Sequence, residues 1–276
     1  MSRGLIFALL CLLASMSVLG YFVNDYMEYK QENIAQKRMD NYLKELLEKI
    51  NNRKNVVLTA SILLSNDRGV KYCLKENNRN KCVKYLKHIQ DTFNKISFSQ
   101  DTMIHVHTAD FKSFFRVWDL ENNENDSLVS FRDSLQYIKE TKKENSGIEV
   151  GRFSMLIRGI SPVIENDEYL GSIEVISNFD RITSYFKKID LDFYVLMNKK
   201  YEKIAEKVNY SRQKKVNDYI VVNNVNSELN VFRDIEFKGT GFVKKNNFYI
   251  VYTPIYDINN EKIGFYALKV LASKLF

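Results

Sequence analysis

The chain has 276 residues, 45% of them hydrophobic and 27% charged, a balance that suits a core-forming protein and excludes a disordered or low-complexity one. Forty-one Lys and Arg against 34 Asp and Glu give a net charge of +7, but basic pairs such as Lys187-Lys188 and Lys214-Lys215 never lengthen into a basic block. Such scattered charge is a solvated surface, and no nucleic-acid partner is expected.

The run Leu5 to Val23 carries no charged residue. At about 1.5 Å per residue its helix nearly matches the roughly 30 Å hydrocarbon core. Arg3 precedes it and Asp25, Glu28 and Lys30 follow. Residues 1–24 are therefore expected to be a single-pass transmembrane anchor, with Met1 in the cytoplasm and the bulk of the chain on the periplasmic side of the cytoplasmic membrane. A cleaved signal peptide is the competing reading, since Ala14-Ser15-Met16-Ser17 supplies small residues, but the apolar stretch exceeds the usual h-region.

From Asp25 to Leu64 there is neither Gly nor Pro, and Met39, Tyr42, Leu43, Leu46, Leu47 and Ile50 recur at helical spacing. This predicts one long amphipathic helix over 25–64, roughly 60 Å in length, with enough apolar surface to pair two copies as a homodimer. Cys73 and Cys82 follow, close in sequence and on the oxidising side of the expected anchor, so a local disulfide is predicted. A second helix is predicted over Lys81 to Ile96, with Val83, Leu86, Ile89 and Phe93 on one face.

The period then changes to that of strands. Met103 to Thr108 reads as one, and Gly147 to Ser177 as three, with turns near Arg152 to Ser154 and Glu165 to Gly171. A helix from Ile182 to Lys188 closes the unit. Ile160-Ser161-Pro162-Val163 followed by Leu170-Gly171-Ser172 is answered later by Tyr252-Thr253-Pro254-Ile255 followed by Ile263-Gly264-Phe265. Upstream, Ser146-Gly147-Ile148 matches Thr240-Gly241-Phe242. One unit is used twice. The predicted fold is α+β: a transmembrane helix, a long helix, and two tandem antiparallel-sheet modules over 65–188 and 189–276.

Together these elements resemble the double Cache sensor domains, PAS-like sheet modules of bacterial chemoreceptors, sensor kinases and diguanylate cyclases. The resemblance is sharpest at Phe115-Arg116-Val117-Trp118, Phe131-Arg132, Gly147 to Arg152, Ile157 to Val163 and Gly171-Ser172-Ile173-Glu174. It implies a small-molecule pocket in a membrane-distal module, a membrane-proximal module acting as spacer, signalling by a dimer, and a signalling partner or output domain in the cytoplasm. The sequence runs to Lys274-Leu275-Phe276 directly after the last predicted strand, so a sensor-only or truncated chain acting through a partner is an alternative.

Arg116, Arg132, Arg152 and Arg158 crowd a stretch of a chain otherwise rich in Lys. Arginine's planar fork pairs bidentately with carboxylate, and Trp118 adds a flat wall, so these residues suit an anionic ligand. The Arg-x-Trp spacing resembles the carboxylate clamp of amino-acid-binding Cache domains, although Asp119 stands where that motif has an aromatic residue. Glu149 and Glu174 fall inside strand-like segments. Either they form structural ion pairs with the arginines beneath the pocket, or one of them receives a ligand ammonium or orients Arg158. His107 and His105 share one strand face and read as half-exposed strand residues or satisfied core groups, as ligand contacts, or, least readily, as a metal pair, since nothing with ligand spacing accompanies them except distant acids. No metal or cofactor is expected. An exported enzyme using one of these histidines as a base beside Glu149 is disfavoured, because no nucleophile elbow, phosphate loop or metal motif occurs. A pilin-like subunit lacks the acid expected early in its apolar stem.

Overall fold

The computed structural model describes residues 3–96, 100–120, 126–208, 214–225 and 228–275. Helix α1 runs unbroken over Arg3–Ser65. Its buried side chains Ala35, Met39, Leu43, Leu46, Ile50, Arg53, Val57, Ala60 and Leu64 step by three or four residues, which draws one stripe along the helix. Before Ala35 the helix is exposed on all described sides, including Leu12, Leu13, Met16, Leu19 and Phe22. Among the described residues no helix is long and apolar enough to cross a membrane. Part of the expected anchor lies outside the described residues: Met1 and Ser2 wholly, and the side chains of Arg3, Leu5, Ile6 and residues 8–11.

Two short helices follow, α2 (Arg68–Lys75) and α3 (Arg79–Lys95). Asp67 caps α2 by accepting from the Val70 amide at 3.0 Å, and Asn78 caps α3 by accepting from Lys81 at 3.1 Å. Helix α2 has only about two turns, too few to show a helical period in the sequence. The expected disulfide is not formed: Cys73 on α2 and Cys82 on α3 are free, buried thiols in side-chain contact. They pack as small apolar groups between the helices. Burial raises both thiols above their ordinary range, which suppresses the thiolate that oxidation requires.

The first sheet contains β1 (Thr102–Thr108), β2 (Ser113–Arg116), β3 (Asn145–Gly151), β4 (Ser154–Glu165) and β5 (Glu168–Ser177), in the order β2-β1-β5-β4-β3, with α4 (Asp133–Thr141) between β2 and β3. Helix α5 (Asp180–Lys188) leads to the second sheet: β6 (Asp192–Asn198), β7 (Lys214–Val216), β8 (Tyr219–Val221), β9 (Gly241–Lys245), β10 (Phe248–Tyr256) and β11 (Lys262–Leu271), ordered β7-β8-β6-β11-β10-β9. All pairings are antiparallel.

The proline motif repeats down to the irregularities. Pro162 pairs with Ser172 and the register slips between Val163 and Ile164; Pro254 pairs with Phe265 and the register slips between Ile255 and Tyr256. The residue after each proline faces a glycine, Gly171 or Gly264. A Cβ at Gly171, where φ is +146°, would lie 2.2 Å from the His107 carbonyl oxygen, and one at Gly264 would lie 2.0 Å from that of Leu196. Both glycines let a neighbouring strand approach.

Helix α1 seats on one face of the first sheet. A Cβ at Gly159 would meet the Val57 carbonyl at 2.5 Å, so that glycine admits the helix backbone. Ser61 and Ser161 share a 2.8 Å hydrogen bond there, and Arg53 donates to Ser177 Oγ at 2.6 Å. One apolar cluster continues from this stripe through Ile157, Ile173 and Val175 to Phe193, Val251 and Leu268 of the second sheet. The opposite face of the first sheet is left for a different use.

Candidate functional site

That opposite face is set by register. His105 pairs with Glu174 on one side and Arg116 on the other; His107 pairs with Ser172; Arg158 pairs with Ile176, two residues from Glu174. Paired residues of antiparallel strands share a face, so six polar side chains from four strands project together. Arg132, just before α4, comes over this face, and the site is closed by Leu128, Phe131, Trp118 and Phe153.

Each arginine has a carboxylate partner. Arg132 is the hub: its Nε donates to Glu149 Oε2 at 2.6 Å and its Nη2 to Glu174 Oε1 at 2.5 Å. Arg158 Nη1 donates to the same Glu174 oxygen at 3.0 Å, and its Nε to the Glu149 carbonyl at 3.3 Å. Ser134 closes the group by donating to Glu149 Oε2 at 2.8 Å. Nearer the rim, Arg116 Nη2 donates to Asp126 Oδ2 at 2.9 Å, while Arg152 Nη1 donates to Glu206 at 2.6 Å and its Nε stands 3.1 Å from Asp126 Oδ2.

Burial alone would raise the Glu174 carboxyl, but Arg132 and Arg158 outweigh it and hold it well below the usual range. Burial opposes ionisation of Asp126 as well, and there Arg116 and Arg152 win. Desolvation pushes His105 down to about 4, and His107 well below its ordinary value, with the nearby arginines adding to both effects. Both imidazoles are neutral at physiological pH. They touch each other, His105 Nδ1 to His107 Nε2, at 2.9 Å. Their outer nitrogens meet serines: His105 Nε2 lies 2.8 Å from Ser113 Oγ and His107 Nδ1 lies 2.9 Å from Ser172 Oγ.

The predicted site residues thus gather in one place. Arg116, Trp118, Arg132, Arg152, Arg158 and His105 line a cavity of about 300 Å³, whereas Glu149, Glu174 and His107 stand behind its wall. The room it offers the centre of a water molecule is only about 20 Å³, that of one or two waters. Trp118 is half-buried, edge-on to His105 and Phe153 with ring centres 6.0 and 5.7 Å away. Arg116 stacks on Phe153 at 5.4 Å. Sequence reasoning missed Asp126, Ser113, Ser172 and Ser134. Alternation would have placed Ser172 on the face of Glu174, but Asp126 sits in a segment without periodicity.

Two antiparallel sheets in tandem, the first with a polar pocket and both braced on or beside a long helix, define a double-module sensory fold. Residues 32–268 match dCache_3, the double sensory domain of two-component sensor kinase, and the chain belongs to this family. No curated protein matches it. Among solved structures, it is similar to the extracellular domain of the putative histidine kinase vpHK1S-Z8 (13% identity, 89% of this chain and 94% of that one, TM-score 0.51). It is also similar to a domain of a putative sensory box/GGDEF family protein from Vibrio parahaemolyticus (13%, 89% and 98%, 0.51). A third likeness is the ligand-binding domain of the Campylobacter jejuni chemoreceptor Tlp3, solved with 4-methylisoleucine (12%, 89% and 93%, 0.50). These likenesses are of fold.

Proposed function

We propose that the chain is the extracytoplasmic sensory part of a membrane receptor and binds a small carboxylate-bearing ligand in the cavity behind Trp118. The observation that carries the reading is the convergence of Arg116, Arg132, Arg152 and Arg158 with Trp118 and Phe153 on one closed space. An internal carboxylate already neutralises each arginine, so an entering anion must displace one. Asp126 is the one that yields: its side chain is 21% exposed, whereas Glu174 is 0% exposed. A ligand carboxylate takes its place on Arg116, and Asp126 turns to solvent. Tlp3 carries an amino-acid-type ligand, which bears a carboxylate, in its solved form, and this supports the ligand class.

The exposed apolar side chains on α1 ahead of Ala35 support anchoring by Leu5 to Val23 in the cytoplasmic membrane, with residues 65–188 distal and 189–276 proximal. Leu47 and Leu63, exposed on α1, support pairing of two copies along 25–64. The output is passed to a cytoplasmic partner or domain, as in chemotaxis or kinase signalling.

The test is a thermal-shift screen of the full chain in detergent against organic acids and amino acids, followed by calorimetry on the hits. Arg116→Lys keeps the charge and loses the fork. It is expected to weaken binding about tenfold with an unchanged denaturation midpoint. Normal affinity in folded Arg116→Lys would refute the clamp, and no stabilisation by any carboxylate would refute the ligand class.

A further inference from the structure

The two histidines and Glu174 form a constellation that the carboxylate reading does not use. His105 Nδ1, His107 Nε2 and Glu174 Oε2 are the corners of a triangle with edges of 2.9, 3.3 and 3.7 Å, and all three groups are buried. Zinc with bonds of about 2.0–2.1 Å and tetrahedral angles spaces its ligand atoms about 3.3–3.4 Å apart. An ion slightly above the plane of this triangle reaches all three at bonding distance.

The surroundings suit that role. Metal-bound imidazoles give their other N–H to a fixed acceptor, which sets the tautomer and the ring orientation. Here Ser113 and Ser172 stand at those outer nitrogens. If both imidazoles donate to the serines, two lone pairs face each other at 2.9 Å, an arrangement that a cation between them relieves. Glu174 Oε1 receives Arg132 and Arg158 at 2.5 and 3.0 Å, while Oε2 faces the imidazoles and takes only a long 3.5 Å contact from Arg132 Nη1. We propose that His105, His107 and Glu174 bind a divalent first-row transition ion, zinc fitting best, with a fourth position directed to the cavity that His105 lines.

Charge sets the character of the site. Arg132 and Arg158 balance Glu149 and Glu174, so a divalent ion brings two uncompensated charges, one of which an anion in the fourth position meets. Hydroxide or a carboxylate serves. With hydroxide there the site needs no organic ligand, and the metal alone serves as the probe.

The full chain in detergent, stripped with a chelator, is titrated with Zn²⁺ against a chromophoric competitor, and separately with Co²⁺ while the visible spectrum is recorded. The wild type is expected to bind one equivalent and to give the intense visible bands of four-coordinate Co²⁺ without a thiolate charge-transfer band. The paired substitution Cys73→Ser and Cys82→Ser, which removes the two buried thiols among the described residues, should leave both results unchanged. Ser172→Ala should weaken Zn²⁺ binding by about 10- to 100-fold with the fold intact by circular dichroism. His105→Gln with His107→Gln should abolish the equivalent. The proposal is overturned if the wild type binds no stoichiometric Zn²⁺, if binding is lost with the cysteines, or if Ser172→Ala binds as the wild type does. The Ser172 and cysteine variants decide the question even where the histidine pair fails to fold.

Discussion

The two sheets share a frame and fill it with opposite chemistry. Aligned on the glycine that opens β5 or β11, and followed through the strand registers, His105 corresponds to Tyr194, His107 to Leu196, Arg158 to Ile250, Ser172 to Phe265 and Glu174 to Ala267. In the first sheet these positions hold a buried ionic network. In the second they belong to one apolar cluster, closed by Phe232 and Phe237, with ring centres of Phe237 and Phe265 5.2 Å apart. The frame therefore requires neither filling: the Pro-bulge-Gly pattern builds the sheet, and the residues of one face decide whether it holds a site or a core.

The largest effect should come from breaking the network at its centre. Glu174→Leu leaves Arg132 and Arg158 buried with a charge unmet, and is expected to cost about 3–5 kcal/mol in denaturant unfolding. Giving the first sheet the character of the second, by Arg132→Met, Glu149→Leu, Arg158→Ile and Glu174→Ala together, should restore most of that loss, because removing a whole buried ionic group is often neutral or stabilising. If the fourfold variant is no more stable than Glu174→Leu, the two faces are not interchangeable fillings. The next effect tests the shared frame: Gly171→Ala and Gly264→Ala each drive a Cβ against a carbonyl, and both should lose about 1–3 kcal/mol, with Gly171 the worse because its φ is positive. Ser161→Ala, on the α1 side of the first sheet, should cost only about 0.5–1.5 kcal/mol, since Ser61 keeps its bond to the Leu58 carbonyl. Finally, native alkylation of Cys73 and Cys82 should be far slower than in denaturant, as mass spectrometry would record; rapid labelling would contradict their burial.

Much of this frame was legible locally. A stretch without Gly or Pro and with a three-to-four spacing announces α1, and the recurrence of proline, turn and glycine announces the paired β4-β5 and β10-β11 ribbons. The arginine crowding marked the pocket. What sequence could not give was partnership. His105 and Glu174 are 69 residues apart and meet only through the β1-β5 register, so a metal-like triad looked like two isolated histidines. Likewise the arginines read as a free anion clamp because nothing local pairs Arg132 with both Glu149 and Glu174. Helix α4 escaped notice because two turns carry too little period to separate from a polar loop.

The continuity of α1 has a mechanical consequence. Its 63 residues make a rod of about 95 Å, and between Tyr21 and Ser65 no Gly or Pro offers a joint at which a twist might dissipate. The rod is gripped where Arg53 holds the end of β5 and where Gly159 lets the Val57 backbone press against β4. Both grips belong to the strands that carry Glu174 and Arg158 on their other side. A change of strand angle there acts as torque on a lever whose far end lies beyond both modules, and the helix delivers it as rotation instead of absorbing it as bend.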